Sequence, residues 1–357
     1  MSTRTIFRHI LCASPLTLLG LSACFDFNLG GIGGSTDLND IPHSHSCPPI
    51  STSGTSGGPL DLCASGGLPE SGCTPSAAEC RTSTSRCLSM VGPTKGPVFG
   101  LRMSQITVTQ PASIAEGLVP TLVSALSLPD RPACGIAGEG TLSWLLRFDL
   151  ESRTLKTGGA APPVNPAKGY AFFEGTIEDQ GKAHPIKPAT LALDAAASCG
   201  FTTSAADLTI PMFTNAEGTK VVLVPLHQVS LAGSLSGDLL CIGVFDPVSL
   251  ERDCCVGTLE NPPFREGGVA AGFFVLEEAD TVSTGIAEAS LCVVLSGNAT
   301  EYGDGASPFA RCKRDEQGHI LFKGDWCAAT NAPATDECAD ALRFSAKFAA
   351  SGVPLAD

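Results

Sequence analysis

"TLSWLLRFDL", residues 141–150, alternates Leu142, Trp144, Leu146, Phe148 and Leu150 with a mostly polar set, Ser143, Arg147 and Asp149. Successive side chains of an extended chain point to opposite faces, so this period of two predicts a strand with one face buried. Near the other end of the chain, Leu342, Phe344, Ala346 and Phe348 alternate in the same way with Arg343, Ser345 and Lys347. Between and before them, further strands are expected in "VFGLRMSQITVT" (98–109), "YAFFEGTI" (170–177), "ADLTIPMF" (206–213), "TKVVLVPL" (219–226), "HQVSLAGSL" (227–235), "LLCIGVF" (239–245) and "VAAGFFVL" (269–276). In the first of these the apolar phase slips between Met103 and Ile106, where a bulge or a break would return the side chains to the core face.

Helical signal is sparse. One helix is expected over Glu277 to Ser296, where Ala279, Val282, Ile286, Ala289 and Val293 recur at helical spacing, acidic residues crowd the start and Gly297 can cap the end. A weaker one covers Ala112 to Leu126, with Pro120 breaking or restarting it. Many short strands between Gly and Pro turns, one or two helices and no βαβ rhythm predict a mainly β, disulfide-rich body, sandwich or jelly-roll-like.

The sixteen cysteines are too many for a reducing compartment unless they hold metal, and no pair is spaced Cys-x-x-Cys. Setting aside Cys12 and Cys24 in the N-terminal segment leaves an even fourteen, enough for seven disulfides in an oxidising compartment. They are Cys47, Cys63, Cys73, Cys80 and Cys87, then Cys134, Cys199, Cys241, Cys254, Cys255, Cys292, Cys312, Cys327 and Cys338. Five is odd, so complete pairing requires a bridge between the N-terminal group and the later body. Local pairs are expected among Cys63, Cys73, Cys80 and Cys87 and among Cys312, Cys327 and Cys338. The neighbours Cys254 and Cys255 are expected to take separate partners, with Cys241 and Cys292 as candidates.

The chain start is basic in an otherwise acidic protein: Arg4 and Arg8 precede any acidic residue, whereas the whole carries a formal charge of -14. The apolar run from Ile10 to Leu19 is too short for a bilayer needing about 20 apolar residues and reads as a signal-peptide core. It ends at Leu21-Ser22-Ala23-Cys24, which resembles the lipobox of bacterial lipoproteins. The resemblance implies cleavage before Cys24, a diacylglyceryl group on its sulfur, and acylation of the new amine. Several acyl chains, at about 0.8 kcal/mol per buried methylene, make a stable anchor. Phe25 stands where inner-membrane retention signals carry aspartate, so the implied destination is the outer membrane of a Gram-negative bacterium.

The expected organisation is therefore a signal peptide over 1–23, a Gly/Ser/Pro-rich tether over 24–62, a small Cys-rich loop segment over 63–95, and a mainly β globular domain over 96–357. As a flexible coil, the 22 residues between Cys24 and Cys47 would span roughly 25 Å. Losing the two N-terminal arginines leaves 20 basic against 36 acidic residues. Such a surface repels nucleic acid, so the membrane, through the lipid, is the expected partner.

Candidate chemistry is thin. "GTSGGPL" (54–60) satisfies G-x-S-x-G and is similar to the nucleophile loop of chymotrypsin-type proteases. However, Thr55 stands where that family has aspartate, and Ser56 lies in the tether rather than on a rigid support. His43, His45 and Cys47 share one side of an extended chain and are weak metal-ligand candidates. His184, His227 and His319 are scattered singly and read as surface or satisfied polar residues. Glu174 and Glu178 form a possible carboxylate pair for glycoside hydrolysis. Asp304, Asp315 and Glu316 share a loop whose spacing does not match an EF-hand. The expected function is thus a lipid-anchored envelope protein with a non-enzymatic binding, adhesion or structural ectodomain and no cofactor; the alternative is a tethered extracellular hydrolase acting on polysaccharide or peptide.

Overall fold

The computed structural model describes residues 89–92, 96–115, 120, 123, 126–127, 140–165, 168–196, 199–245, 264–285, 289–296 and 309–356. Cys24, His43, His45, Cys47, Ser56, Cys63, Cys73, Cys80, Cys87, Cys134, Cys254, Cys255 and Asp304 lie outside them, as do the expected signal peptide, the tether and most of the Cys-rich segment.

The body is mainly β, as the alternation predicts. A twelve-stranded antiparallel sheet contains β1 (Val98–Gln110), β2 (Ser143–Asp149), β3 (Thr154–Ala160), β6 (Ala189–Ala196), β7 (Gly200–Thr203), β9 (Val221–Ser234), β13 (Gly268–Val275) and β16 (Ala341–Gly352), hydrogen-bonded in that order. β16 also pairs with β1, from Leu101 opposite Gly352 to Gln110 opposite Ser345, so these eight strands form a closed circuit. The inner face of β2 carries Trp144, Leu146 and Phe148, all buried. Phe148 stacks on Phe99 of the neighbouring β1 and meets Phe201 of β7, three strands away, edge to face with ring centroids 5.1 Å apart. Opposite walls therefore touch across the interior, as in a sandwich whose two sheets are joined at both edges, and few strand edges are left open. Trp144 Nε1 donates to Thr157 Oγ1 at 2.8 Å, so the indole's polar atom is satisfied inside.

Leu145, the apolar residue on the outward side of β2, is fully buried on the outside of the circuit with Ala160, Tyr170 and Val353. Beside it, Arg102 is buried with no carboxylate among its partners in the described residues. Its Nε donates to Ser143 Oγ, Nη1 to the Ser127 carbonyl, and Nη2 to those of Gly140 and Leu142, all at 2.9–3.1 Å. Burial lowers the affinity of this guanidinium for its proton, and the ring of carbonyls replaces the water it has lost.

The slip in β1 is a bulge. Met103 lies opposite Ala350 and Gln105 opposite Ala349, leaving Ser104 as the extra residue, so Leu101 and Met103 before it and Ile106 after it all reach the interior. The two stretches expected as separate strands over 219–226 and 227–235 are one strand, β9. Conversely, 239–245 divides into the short strands β10 (Cys241–Ile242) and β11 (Val244–Phe245), the latter pairing with β12 (Phe264–Arg265). In 170–177 the regular strand, β4 (Gly175–Asp179), starts late and forms a hairpin with β5 (Lys182–Ile186). Between β7 and β9, β8 (Ala206–Phe213) pairs with the first half of β9 and makes an arm outside the circuit.

The long helix expected over 277–296 is replaced by two short ones, α2 (Leu276–Ala279) and α3 (Leu291–Ser296); α1 (Ala112–Ala115) is a single turn, and Pro120, Val123 and Leu126 are helical again. The break has a polar cause. Asp280 is fully buried, accepting hydrogen bonds from Ser290 Oγ, the Cys312 amide and Arg314 Nη2 at 2.8 Å each, and a continuous helix would carry Ser290 away from it. Ala279, Val282, Ala289 and Val293 are all buried nonetheless, so the apolar spacing reported burial correctly and conformation incorrectly.

Two disulfides brace this region, Cys292–Cys312 and Cys327–Cys338, the second beside the short strands β14 (Trp326–Cys327) and β15 (Ala332–Pro333). Cys292 is therefore not a partner of Cys254 or Cys255. Cys199 and Cys241 are also disulfide-bonded.

Because neighbouring strands run in opposite directions, the connections alternate between two ends of the circuit. Four insertions leave from one end: 111–142, 161–188, 204–226 and 276–340. Their apolar residues Ile114, Val123, Val282, Leu291, Leu295 and Ile320 belong to the same buried cluster as the inner side chains of the strands. The other end carries the tight β2–β3 and β6–β7 connections, the segment with β10–β12, and both the entry of β1 at Val98 and the exit of β16 at Gly352.

Candidate functional site

The most polar construction among the described residues lies at the insertion-bearing end, where β9 passes from the arm into the circuit. Its inward apolar residues run to Leu226 and resume at Val229. Gln228 lies between them with φ +50°, a left-handed conformation unusual for a residue with a side chain. Both neighbouring ladders shift register there: on β8 the pairing steps from Ala206 opposite Val229 to Leu208 opposite Leu226, and on β13 from Ala271 opposite Ser230 to Phe273 opposite His227. Facing the kink on β13 is Gly272, where a Cβ would lie 2.7 Å from the His227 carbonyl oxygen, so glycine is what lets the two backbones approach.

A kink of this kind re-aims side chains, and here it presents His227 to two carboxylates. Nδ1 lies 3.3 Å from Asp207 Oδ2 at the start of β8, and Nε2 is hydrogen-bonded to Glu278 Oε2 on α2. The imidazole stacks on Phe273 with ring centroids 5.6 Å apart. Asp207 is fixed in turn by the Gln228 amide, which donates to its Oδ1 at 2.9 Å. The hydrogen bond to Glu278 raises the His227 pKa above the ordinary imidazole value; partial burial opposes this, and the charges of Glu278 and Asp207 add to it.

α2 is where these contacts converge. Glu277 forms a bidentate pair with Arg314, at 3.1 and 2.8 Å. Asp280 is held by Arg314 and by Arg311 at 3.1 Å. The β4–β5 hairpin docks on the following turn, with Asp179 Oδ2 accepting the Ser283 amide at 2.7 Å and Lys182 Nζ donating to Thr281 Oγ1 at 3.1 Å. His184 on β5 has its Nε2 buried without a hydrogen-bond partner among the described residues. Burial, then the Lys182 charge, lowers its pKa, against the raising influence of Asp179, Glu278 and Glu178.

Chemically this is a charge-paired bridge. Each imidazole nitrogen already faces a carboxylate, whereas general base catalysis needs one nitrogen directed at a reacting proton. The sequence reads His227 as a surface or satisfied polar residue; Asp207 and Glu278, 20 and 51 positions away, meet it only through the fold.

The other candidates fall elsewhere. Glu174 is ion-paired with Lys156 at 3.2 Å, and Glu178 sits in β4 opposite Ala183. Asp315 accepts the amides of Gln317 and His319 at 3.0 and 2.8 Å, which hold its pKa below the usual carboxylate value and brace its own turn; Glu316 is exposed. His319 is largely exposed, with Nδ1 3.4 Å from Asp315. Among the described residues, ligand-type atoms gather in threes at Asp280, Cys292 and Cys312 and at Cys327, Cys338 and Asp340. In both groups the two sulfurs are joined to each other and are not thiolate ligands. The chain matches no known family model, no curated protein and no solved structure.

Proposed function

We propose that this protein is a lipid-anchored lipoprotein of the Gram-negative outer membrane, whose disulfide-braced β body is a non-enzymatic binding, adhesion or structural module. The observation that carries this reading is the order of features in the first 24 residues: basic residues, a short apolar core, then Leu21-Ser22-Ala23-Cys24. Three features of the body support it. Disulfides suit an oxidising envelope compartment. The circuit's interior is occupied by large apolar side chains rather than shaped around polar groups. Both nitrogens of His227 are engaged by carboxylates. No helix among the described residues is long and apolar enough to cross a membrane.

The test is to express the full-length chain in a Gram-negative host, with and without Cys24→Ser. Mass spectrometry under non-reducing conditions should find the wild-type N-terminus acylated at Cys24, and the protein should sediment with outer membranes. The variant should remain unprocessed at that bond and lack the acyl mass. Identical processing and sedimentation of the two forms would overturn the reading.

A further inference from the structure

The bridge at the β9 kink joins side chains from three separate parts of the chain. Asp207 belongs to the β8–β9 arm, Glu278 to the insertion that follows β13, and His227 lies between them. An imidazolium donates from both nitrogens and can satisfy two carboxylates at once. A neutral imidazole has one N–H, so its other nitrogen must turn a lone pair toward a carboxylate. The bridge then changes from a net single negative charge to two mutually repelling carboxylates with one donor between them.

We propose that Asp207, His227 and Glu278 form a proton-operated latch, closed when His227 carries both protons and fastening α2 to the β8–β9 arm, open when one is lost. The neighbouring groups are compatible with this. Glu277 is turned to Arg314, so it does not compete for the imidazole. β13 contributes the uncharged ring of Phe273. From the β4–β5 hairpin, Lys182, Asp179 and Glu178 act on His184, as does Glu278, and Lys182 is held by Thr281. The side chains of His227, Asp207 and Glu278 are 27%, 57% and 41% exposed, so bulk protons reach the latch directly.

A folded-state pKa above the unfolded value of about 6.5 means the contribution is complete below that pH and disappears as the pH rises through the folded value. Opening is therefore expected as the pH rises above the ordinary imidazole value. The latch does not depend on the lipid anchor, so the two proposals fail separately.

The test is proton NMR of the full-length, oxidised chain, which has six histidines to resolve. His227 should titrate above the ordinary imidazole midpoint, and Glu278→Gln should lower its midpoint by about one pH unit. Amide exchange at residues 276–281, corrected for its intrinsic pH dependence, should accelerate roughly tenfold from pH 6 to pH 9 in the wild type. It should stay flat in His227→Gln, with Glu278→Gln serving if that variant does not fold. A His227 midpoint at or below the ordinary value, or equal acceleration in wild type and variant, would overturn the proposal.

Discussion

Strands β1 and β9 carry the same three-residue slip in their inward apolar residues, Met103 to Ile106 in one and Leu226 to Val229 in the other, yet the two slips are closed by different chemistry. In β1 the extra residue is Ser104, which bonds the Ser351 hydroxyl, while Gln105 pairs its buried amide with both backbone groups of Phe264 at 3.0 and 3.1 Å and touches one carboxylate, Glu266. In β9 the extra residue is Gln228, and the kink is closed by an imidazole between two acids. A bulge restores the core phase in either case. What fills the gap decides whether the repair is indifferent to solution conditions or responsive to them.

Four measurements test that contrast, beginning with the largest effect. Deleting Ser104 would turn one half of β1 outward, either Phe99, Leu101 and Met103 or Ile106 and Val108. At about 1.5–3 kcal/mol per exposed side chain, with the closing seam to β16 also lost, this rivals a whole domain's stability of about 5–15 kcal/mol. Cooperative thermal unfolding should vanish. Next, Arg102→Met beside the same bulge removes the donor from three backbone carbonyls and should cost about 2–4 kcal/mol, read as a lower denaturant midpoint with an unchanged slope.

On the β9 side, Gly272→Val forces a side chain against the His227 carbonyl and should cost about 1–3 kcal/mol by the same measurement. It should also lower the His227 titration midpoint, whereas Arg102→Met leaves that midpoint alone. The smallest effect is Gln228→Gly, which relieves a left-handed backbone and should raise stability by up to about 1 kcal/mol in thermal denaturation. A destabilisation there would show that the Gln228 side chain, not its backbone, holds the kink.

Much of this fold was legible. The alternation in 141–150 and 342–348 located two strands of the circuit, and the phase slip in 98–109 located the β1 bulge. In β9 the same slip falls at the boundary between the expected strands 219–226 and 227–235, which are one strand, because the sequence alone does not show the bulge that continues it. Of the circuit, β3, β6 and β7 carry no pattern that singles them out. Gly158 and Gly159 thin the β3 pattern, and the need for glycine at 159 appears only once Pro211 is packed on it, 2.6 Å from where a Cβ would lie. The helix expected over 277–296 failed for an electrostatic reason: apolar spacing marks which residues are buried, but the conformation was set by Asp280 collecting partners from 290, 312 and 314. The polar site was illegible for the same reason, since long-range charge pairing leaves no periodic trace.

The parity of the strands also fixes a direction. The chain enters β1 at the end opposite the four insertions, and residues just upstream stay at that end, where the Met90 amide bonds the Gly352 carbonyl at 2.7 Å. The start of β1 and the Met90–Gly352 contact thus mark one pole of the β body, while α2, the hairpin and the histidine bridge gather at the other.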